Sequence, residues 1–308
     1  TTSSENLKVM RIGILTSGGD CPGINATIRG VCKTAISHYG MEVYGIRSGF
    51  RGLLDNDIIP LDENSLTGLL SMGGTILGTS REKPFKNRAN VPVSEDKPAM
   101  MLKTIRERKL DCVVCIGGNG TQKTAAKLAA TGVNVVTVPK TIDNDVWGTD
   151  ISFGFDSAVS IATEAIDRLH STASAHQRVM VIEVMGHKAG WIALYSGMAG
   201  GGDIILLPEI PFDIHRIGDT IINRLKKGKP YSIVVVAEGI PTLGGKKAAQ
   251  YIAEEIEYET GFETRETVLG YIQRGGGPTA FDRNLATRMG GHATELIASG
   301  QFGRMVSL

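Results

Sequence analysis

The sequence predicts an α/β fold built on parallel strands, and three observations carry that prediction. Short β-branched runs alternate with longer segments of helical periodicity along the chain, the pattern of strands joined by crossover helices. Several runs, among them Val-Val-Cys-Ile (113–116) and Ile-Val-Val-Val-Ala (233–237), have no polar face, as strands covered on both sides require. Gly makes up 39 of the 308 residues, roughly 13% where about 7% is usual. Many of these glycines follow the apolar runs directly, as tight backbone-lined turns do.

In chain order, Val9–Leu15 is the first strand, an apolar run that stops at Ser-Gly-Gly, and the periodic segment Asn25–Ser37 is the helix after it. Glu42–Ile46 is a second strand, Ala99–Arg108 a helix, and Cys112–Ile116 a strand that stops at Gly-Gly-Asn-Gly-Thr. The helix Gln122–Ala130 leads to the strand Val133–Val138, which ends on Pro-Lys-Thr-Ile-Asp-Asn-Asp. The rhythm breaks after Asp145 and resumes with the helix Ser157–Ser171 and the strands Val179–Val184 and Ile204–Leu207. The helix Ile214–Lys227, the strand Ser232–Ala237 and the helices Lys246–Glu259 and Asn284–Ala298 complete the series.

Composition excludes several classes of partner. With 33 Lys and Arg against 32 Asp and Glu the net charge is +1, so no global basic field exists to hold nucleic acid or an acidic membrane. An anionic partner would be small and met by a local cluster of cations. The four cysteines, Cys21, Cys32, Cys112 and Cys115, are too few for a disulfide framework and point to a reducing compartment. Cys112 and Cys115 lie in a strand-like run, which reads as core and not as a redox or zinc turn. The polar opening Thr-Thr-Ser-Ser-Glu-Asn-Leu-Lys carries no secretion signal, and no run approaches the roughly 18 apolar residues of a membrane span. A cytoplasmic protein is expected.

Three strand ends carry the candidate chemistry. Ser17-Gly18-Gly19-Asp20 and Gly117-Gly118-Asn119-Gly120-Thr121 each join a strand to a helix, where backbone amides can approach a phosphate at the helix's positive end. Neither has the Lys-Ser/Thr ending of a Walker loop. The third, Lys140-Thr141-Ile142-Asp143-Asn144-Asp145, places two carboxylates beside a Lys and a Thr. That set makes poor core, and one Asp could take a proton from a hydroxyl nucleophile. Cations recur in Gly-rich turns at Arg81, Arg178, His187–Lys188, Arg265 and Arg274, which on a chain without net charge favours a phosphorylated substrate. Glu238, ending a buried strand, needs a substrate hydroxyl or an Arg as partner.

Read together, TSGGDCPGIN, GGNGT, PKTIDND, HQR, MGHKAGW, AEG and LGYIQRGG resemble the 6-phosphofructokinase family from Met10 to about Gly303. The resemblance implies two Rossmann-like, three-layer domains with mostly parallel sheets. It implies a phosphoryl-donor domain of residues 1–150 and about 275–308, and a sugar-phosphate domain of about 151–274. It implies transfer of a phosphoryl group from ATP, with Mg²⁺, to the 1-hydroxyl of fructose 6-phosphate. Asp143 would be the general base, with Thr141, Lys140 and Arg178 assisting. Gly18, Arg81, Glu82, Gly118, Asn119, Gly120 and Thr121 would serve the donor, Asn119 the metal. Thr141, Ile142, Asp143, Arg178, Met185, Gly186, His187, Glu238, Arg265, Tyr271 and Arg274 would serve the sugar phosphate. Positions matching Arg178 and Arg265 reach that site from a neighbouring subunit in the family, so a homo-oligomer, dimer or tetramer, is implied.

The chain departs from the family pattern at several places. Asn119 stands where an Asp is usual, His187 where many members have Arg, and Tyr271 where many have His. Donor choice rests on Gly120 and Lys140. ATP users usually have Gly at both positions and pyrophosphate users Asp and Lys, so the signature is mixed. Gly120 leaves room for a nucleotide, which makes ATP the expected donor and pyrophosphate the alternative; a non-catalytic sensor of sugar phosphate or nucleotide is the second alternative. Phe50 falls near the family's adenine position. Asp57 and His170 replace cations common in its effector pocket.

Overall fold

The structure, a computed structural model, describes residues 9–86 and 96–308; the polar opening read above for a secretion signal lies outside the described residues. The elements run β1 (Arg11–Thr16), α1 (Ile24–Lys33), β2 (Glu42–Ile46), α2 (Phe50–Asp55), β3 (Ile58–Leu61), α3 (Lys97–Glu107), β4 (Cys112–Gly117) and α4 (Asn119–Ala129). They continue with β5 (Val135–Pro139), α5 (Phe155–His176), β6 (Val179–Val184), α6 (Trp191–Ala199), β7 (Ile204–Leu206) and α7 (Ile214–Lys226). The last are β8 (Ser232–Ala237), α8 (Ala248–Thr260), β9 (Thr264–Val268), α9 (Ala280–Ala298) and β10 (Arg304–Met305).

The chain divides into two compact units, one of Thr1–Thr141, Val146–Gly154 and Gly276–Leu308, the other of Ile142–Asp145 and Phe155–Gly275. It therefore changes unit inside the Lys140–Asp145 motif. The first unit holds a six-stranded sheet in the order β10-β5-β4-β1-β2-β3, parallel except for β3 against β2. Leu15, Val113 and Cys115 face a core shared with α2, α3 and α4 through Phe50, Leu53, Met101, Ile105 and Leu128. Helices α1 and α9 pack together and cover the other face. Burial pushes the Cys112 thiol up to about 12, which leaves it an inert core residue.

The second unit holds a parallel four-stranded sheet in the order β7-β8-β6-β9. Helices α5 and α6 pack together on one side, and α7 and α8 together on the other. Every residue of β6 and β8 is buried, which is why, Glu183 and Ser232 apart, these strands read as apolar runs. Elements absent from the sequence reading are short or at an edge. α2 has six residues, β3 is an antiparallel strand containing Pro60, and β9 is an edge strand of sequence TRETV. α6 was missed because its apolar residues run round the helix, with no polar face to set a period.

Candidate active site

In the first unit, β1 and β4 lie side by side, with β2 flanking β1 and β5 flanking β4. Connections leave their carboxyl ends in opposite directions, which opens the crevice where sheets of this kind take ligands. Both Gly-rich turns stand there. The amide of Ser17 donates to the Ile116 carbonyl at 3.0 Å, and the Thr121 hydroxyl donates to the Ser17 carbonyl at 3.3 Å. Segment 78–81 runs alongside: Gly18 N–H donates to the Ser80 carbonyl at 3.1 Å and the Thr79 hydroxyl to the Gly18 carbonyl at 2.6 Å. This brings Arg81, exposed, to the same edge.

Helix α4 begins at Asn119, three residues before the expected start, so Asn119, Gly120 and Thr121 form its first turn with Gly118 as N-cap. First-turn amides have no acceptor within a helix and point at whatever lies beyond its positive end. A Cβ added at Gly120 would meet nothing within 4 Å, so the fold does not require glycine there and the space beside it is open. Lys140 is 3% exposed and its ammonium donates to the Gly19 carbonyl, which fixes the first Gly-rich turn to the end of β5.

Two sequence assignments in this unit find other surroundings. Glu82, assigned to the donor, binds Lys97 at 2.6 Å and has Arg51 at 3.9 Å; the Lys97 hydrogen bond holds its carboxyl below the usual range. It anchors the loop that carries Arg81. Phe50 is 1% exposed within the hydrophobic core, so it offers no face to an adenine. Asn25 has a role that sequence reasoning missed: its side chain donates to the Gly73 carbonyl at 3.1 Å and accepts from Ile76 N–H at 2.9 Å, setting the path toward residue 81.

In the second unit, the turns after β6 and β8 meet. The Glu238 carboxylate, placed at the end of β8, accepts from Gly186 N–H at 3.2 Å and His187 N–H at 2.7 Å. Both amides bind the same oxygen, Oε1, so the strand-end carboxylate is held by backbone amides rather than by an Arg, and its second oxygen keeps acceptor capacity for a hydroxyl. Gly239 permits this closeness, since a Cβ there would stand 2.2 Å from the His187 carbonyl oxygen. His187 itself holds φ +54° and Asn144 φ +51°, left-handed conformations that cost a non-glycine residue and gather at functional sites. Gln273, fully buried, accepts from Met185 N–H at 3.2 Å and donates to the Gly270 carbonyl at 3.1 Å. Sequence reading saw this residue only inside LGYIQRGG; a fully buried amide supporting two backbones leaves no periodic signal.

Asp143 shares this neighbourhood. Burial, then the charges of Asp145 and Glu238, push its carboxyl up to about 6, while Arg274 and His187 pull it back. The Arg274 guanidinium lies 5.2 Å from the Tyr271 ring centroid. Ile142 is 3% exposed, so only its backbone is available to a ligand. Arg178 and Arg265 are elsewhere. Arg178 precedes β6 and Met185 follows it, a separation of about 20 Å along the strand, and Arg265 pairs in register with Met180 at the same far end. Both bind Glu263, Arg178 at 3.0 Å and Arg265 at 2.6 Å. His170, from the expected effector set, is held by Tyr231 at 3.2 Å and the Gly200 carbonyl at 2.6 Å. Asp57 pairs with Arg47 at 2.7 Å.

Comparison with known proteins agrees with this architecture. The family description Phosphofructokinase matches residues 11–297. A protein of Bacteroides thetaiotaomicron named ATP-dependent 6-phosphofructokinase 3 is 80% identical over 97% of this chain and 89% of its own length. A Streptomyces coelicolor protein named pyrophosphate–fructose 6-phosphate 1-phosphotransferase is 46% identical over 97% of this chain and 90% of its own. The crystal structure of Pichia pastoris phosphofructokinase in the T-state superposes with a TM-score of 0.89 at 32% identity, covering 100% of this chain and 34% of that longer one. With a family match across nearly its whole length and an 80% identical relative, the chain belongs to the phosphofructokinase family.

Proposed function

We propose that the protein transfers the terminal phosphoryl group of ATP to the 1-hydroxyl of fructose 6-phosphate, giving fructose 1,6-bisphosphate and ADP in glycolysis. The name of the 80% identical relative supports the reaction, and the open space at Gly120 is the observation that carries the choice of donor. The first unit is the donor domain. Amides of Gly118, Gly120 and Thr121 receive donor phosphates; Gly18, whose own amide is held by the Ser80 carbonyl, lines the same edge, and Arg81 and Lys140 neutralise the phosphate charge. The second unit is the sugar-phosphate domain, in which Asp143 takes the proton of the 1-hydroxyl as it attacks. Thr141 contacts the same hydroxyl, and Met185, Gly186, His187, Glu238, Tyr271 and Arg274 shape the acceptor side.

Mg²⁺ fits as an ion carried by the donor. No group of three or more His, Cys, Asp or Glu among the described residues is arranged to hold a metal, and Mg²⁺ commonly sits on substrate phosphates with one or two protein oxygens. Asn119, exposed on the first turn of α4, would supply one of them. When bound, the ion neutralises charge on the phosphates. We place the protein in the cytoplasm; no helix among the described residues is long and apolar enough to cross a membrane.

A second reading, the same acceptor with pyrophosphate as donor, is favoured by Lys140, whose buried ammonium stands 3.8 Å from where a Cβ of Gly18 would be. A coupled assay with fructose 6-phosphate, Mg²⁺ and either ATP or pyrophosphate separates the two. Turnover with ATP alone is expected, and Gly120→Asp, which the open space lets fold normally, should lose most of it. Turnover with pyrophosphate alone would assign the donor to Lys140.

A further inference from the structure

A cavity of about 360 Å³ opens in the second unit between the ends of β6, β8 and β9 and the start of α8. Its inner wall carries two carboxylates, Glu183 and Glu238, and the phenol of Tyr271. Glu183 is 8% exposed and accepts from the Ala249 amide at 2.8 Å; with two oxygens it keeps acceptor capacity for a hydroxyl. Its other side is formed by segment 240–248, with Thr242, Lys246 and Lys247 on the wall. The two lysines differ. Lys246 is tied to Glu254, whereas Lys247, exposed as the N-cap of α8, makes no ion pair among the described residues. A cavity with carboxylates inside and an uncommitted ammonium at its edge suits a polyol phosphate, hydroxyls inward and phosphate outward.

We infer that Lys247 binds the 6-phosphate of the sugar substrate. The inference rests on the function proposed above, since Met185, Glu238 and Tyr271 line this cavity and also belong to the acceptor side. It also accounts for a departure in the sequence. Where many members of the family have His, Tyr271 offers a hydroxyl and no charge, and Lys247, on the wall of the same cavity, supplies a cation. A lysine serves here as a mobile point charge that can follow the phosphate, and an arginine can replace it where no bidentate geometry is imposed.

The test is fructose 6-phosphate saturation of the full-length protein with ATP, together with calorimetric titration of fructose 6-phosphate without nucleotide. Lys247→Met should raise both KM and Kd for the sugar phosphate about tenfold, as loss of one charge-assisted contact does. Its kcat at saturation should stay within about twofold, and KM for ATP should not move. Lys247→Arg should recover most of the affinity, and Lys246→Met should change it by less than about twofold. Inorganic phosphate should compete with the sugar phosphate in the wild type and do so more weakly in Lys247→Met. Unchanged affinity in an active Lys247→Met protein, or equal losses from the two lysines, would overturn the inference while leaving the proposed function standing. A wild type that turns over no fructose 6-phosphate would overturn the function itself.

Discussion

Asp143 concentrates the chemistry at the scale of one residue. A carboxyl held near 6 is ionised at neutral pH yet basic enough to accept a hydroxyl proton during attack. Its elevation comes first from burial and then from Asp145 and Glu238, so the neighbours that mark the site in sequence also set its titration. The kcat/KM for fructose 6-phosphate should therefore rise with pH along a limb with an apparent pKa near 6; a profile flat between pH 5 and 7 would place the base elsewhere. The same shift has a stability consequence. With the folded value at about 6 and the ordinary value at 3.8, the fold disfavours the ionised form, and stability is lost as pH rises between those values. Asp143→Asn should lower turnover by about 10²- to 10⁴-fold. At pH 7.5 it should unfold at a higher temperature than the wild type, by about 2–3 kcal/mol of stability, the gain vanishing below about pH 4. The carboxylate pair was legible because two acids beside Lys140 and Thr141 make poor core. The partners of Glu238 were not, because backbone amides have no letter in the sequence.

At the scale of the element, glycine has opposite meanings in two turns. Gly120, in the first turn of α4, has open space around it and is left to function. Gly239, after β8, is a requirement of packing: its missing Cβ would stand 2.2 Å from a backbone oxygen, and backbone yields only by moving the turn. Gly239→Ala should push residues 186–187 off the Glu238 carboxylate. The expected outcome is a loss of about 1–3 kcal/mol in thermal or denaturant unfolding, with a higher KM for fructose 6-phosphate and an unchanged KM for ATP. A shift in both KM values would mean that the turn serves more than the acceptor side. The sequence shows both glycines and cannot separate them, because the distinction lies in atoms distant along the chain. The same limit explains which elements were legible. β6 and β8 announce themselves as buried apolar runs, whereas β9 alternates Thr, Arg, Glu, Thr and Val at a sheet edge, and α6 lacks a polar face.

For the whole molecule, the two sheets account for how much sequence alone could yield. The central strands of each were visible, and with them the three strand ends that carry the motifs; what no linker composition marks is the change of unit inside one motif, which gives residues 142–145 to the second unit. Arg178 and Arg265 raise the remaining question of assembly. They sit a strand length away from Met185 and His187 and share Glu263, so within one chain they do not reach the acceptor cluster. We expect them to complete the sugar-phosphate site of a second copy, which makes activity a property of the oligomer. Mixing separately inactive Asp143→Ala and Arg178→Ala chains tests this through dissociation and reassembly. A hybrid interface then pairs an intact Asp143 from one chain with an intact Arg178 from the other, and random pairing should restore about a quarter of wild-type sites. A single chain carrying both substitutions should rescue nothing when mixed with either parent beyond that parent's own activity. If the hybrids stay inactive although sedimentation shows mixed oligomers, Arg178 acts within its own chain and the site closes by a rearrangement of the second unit.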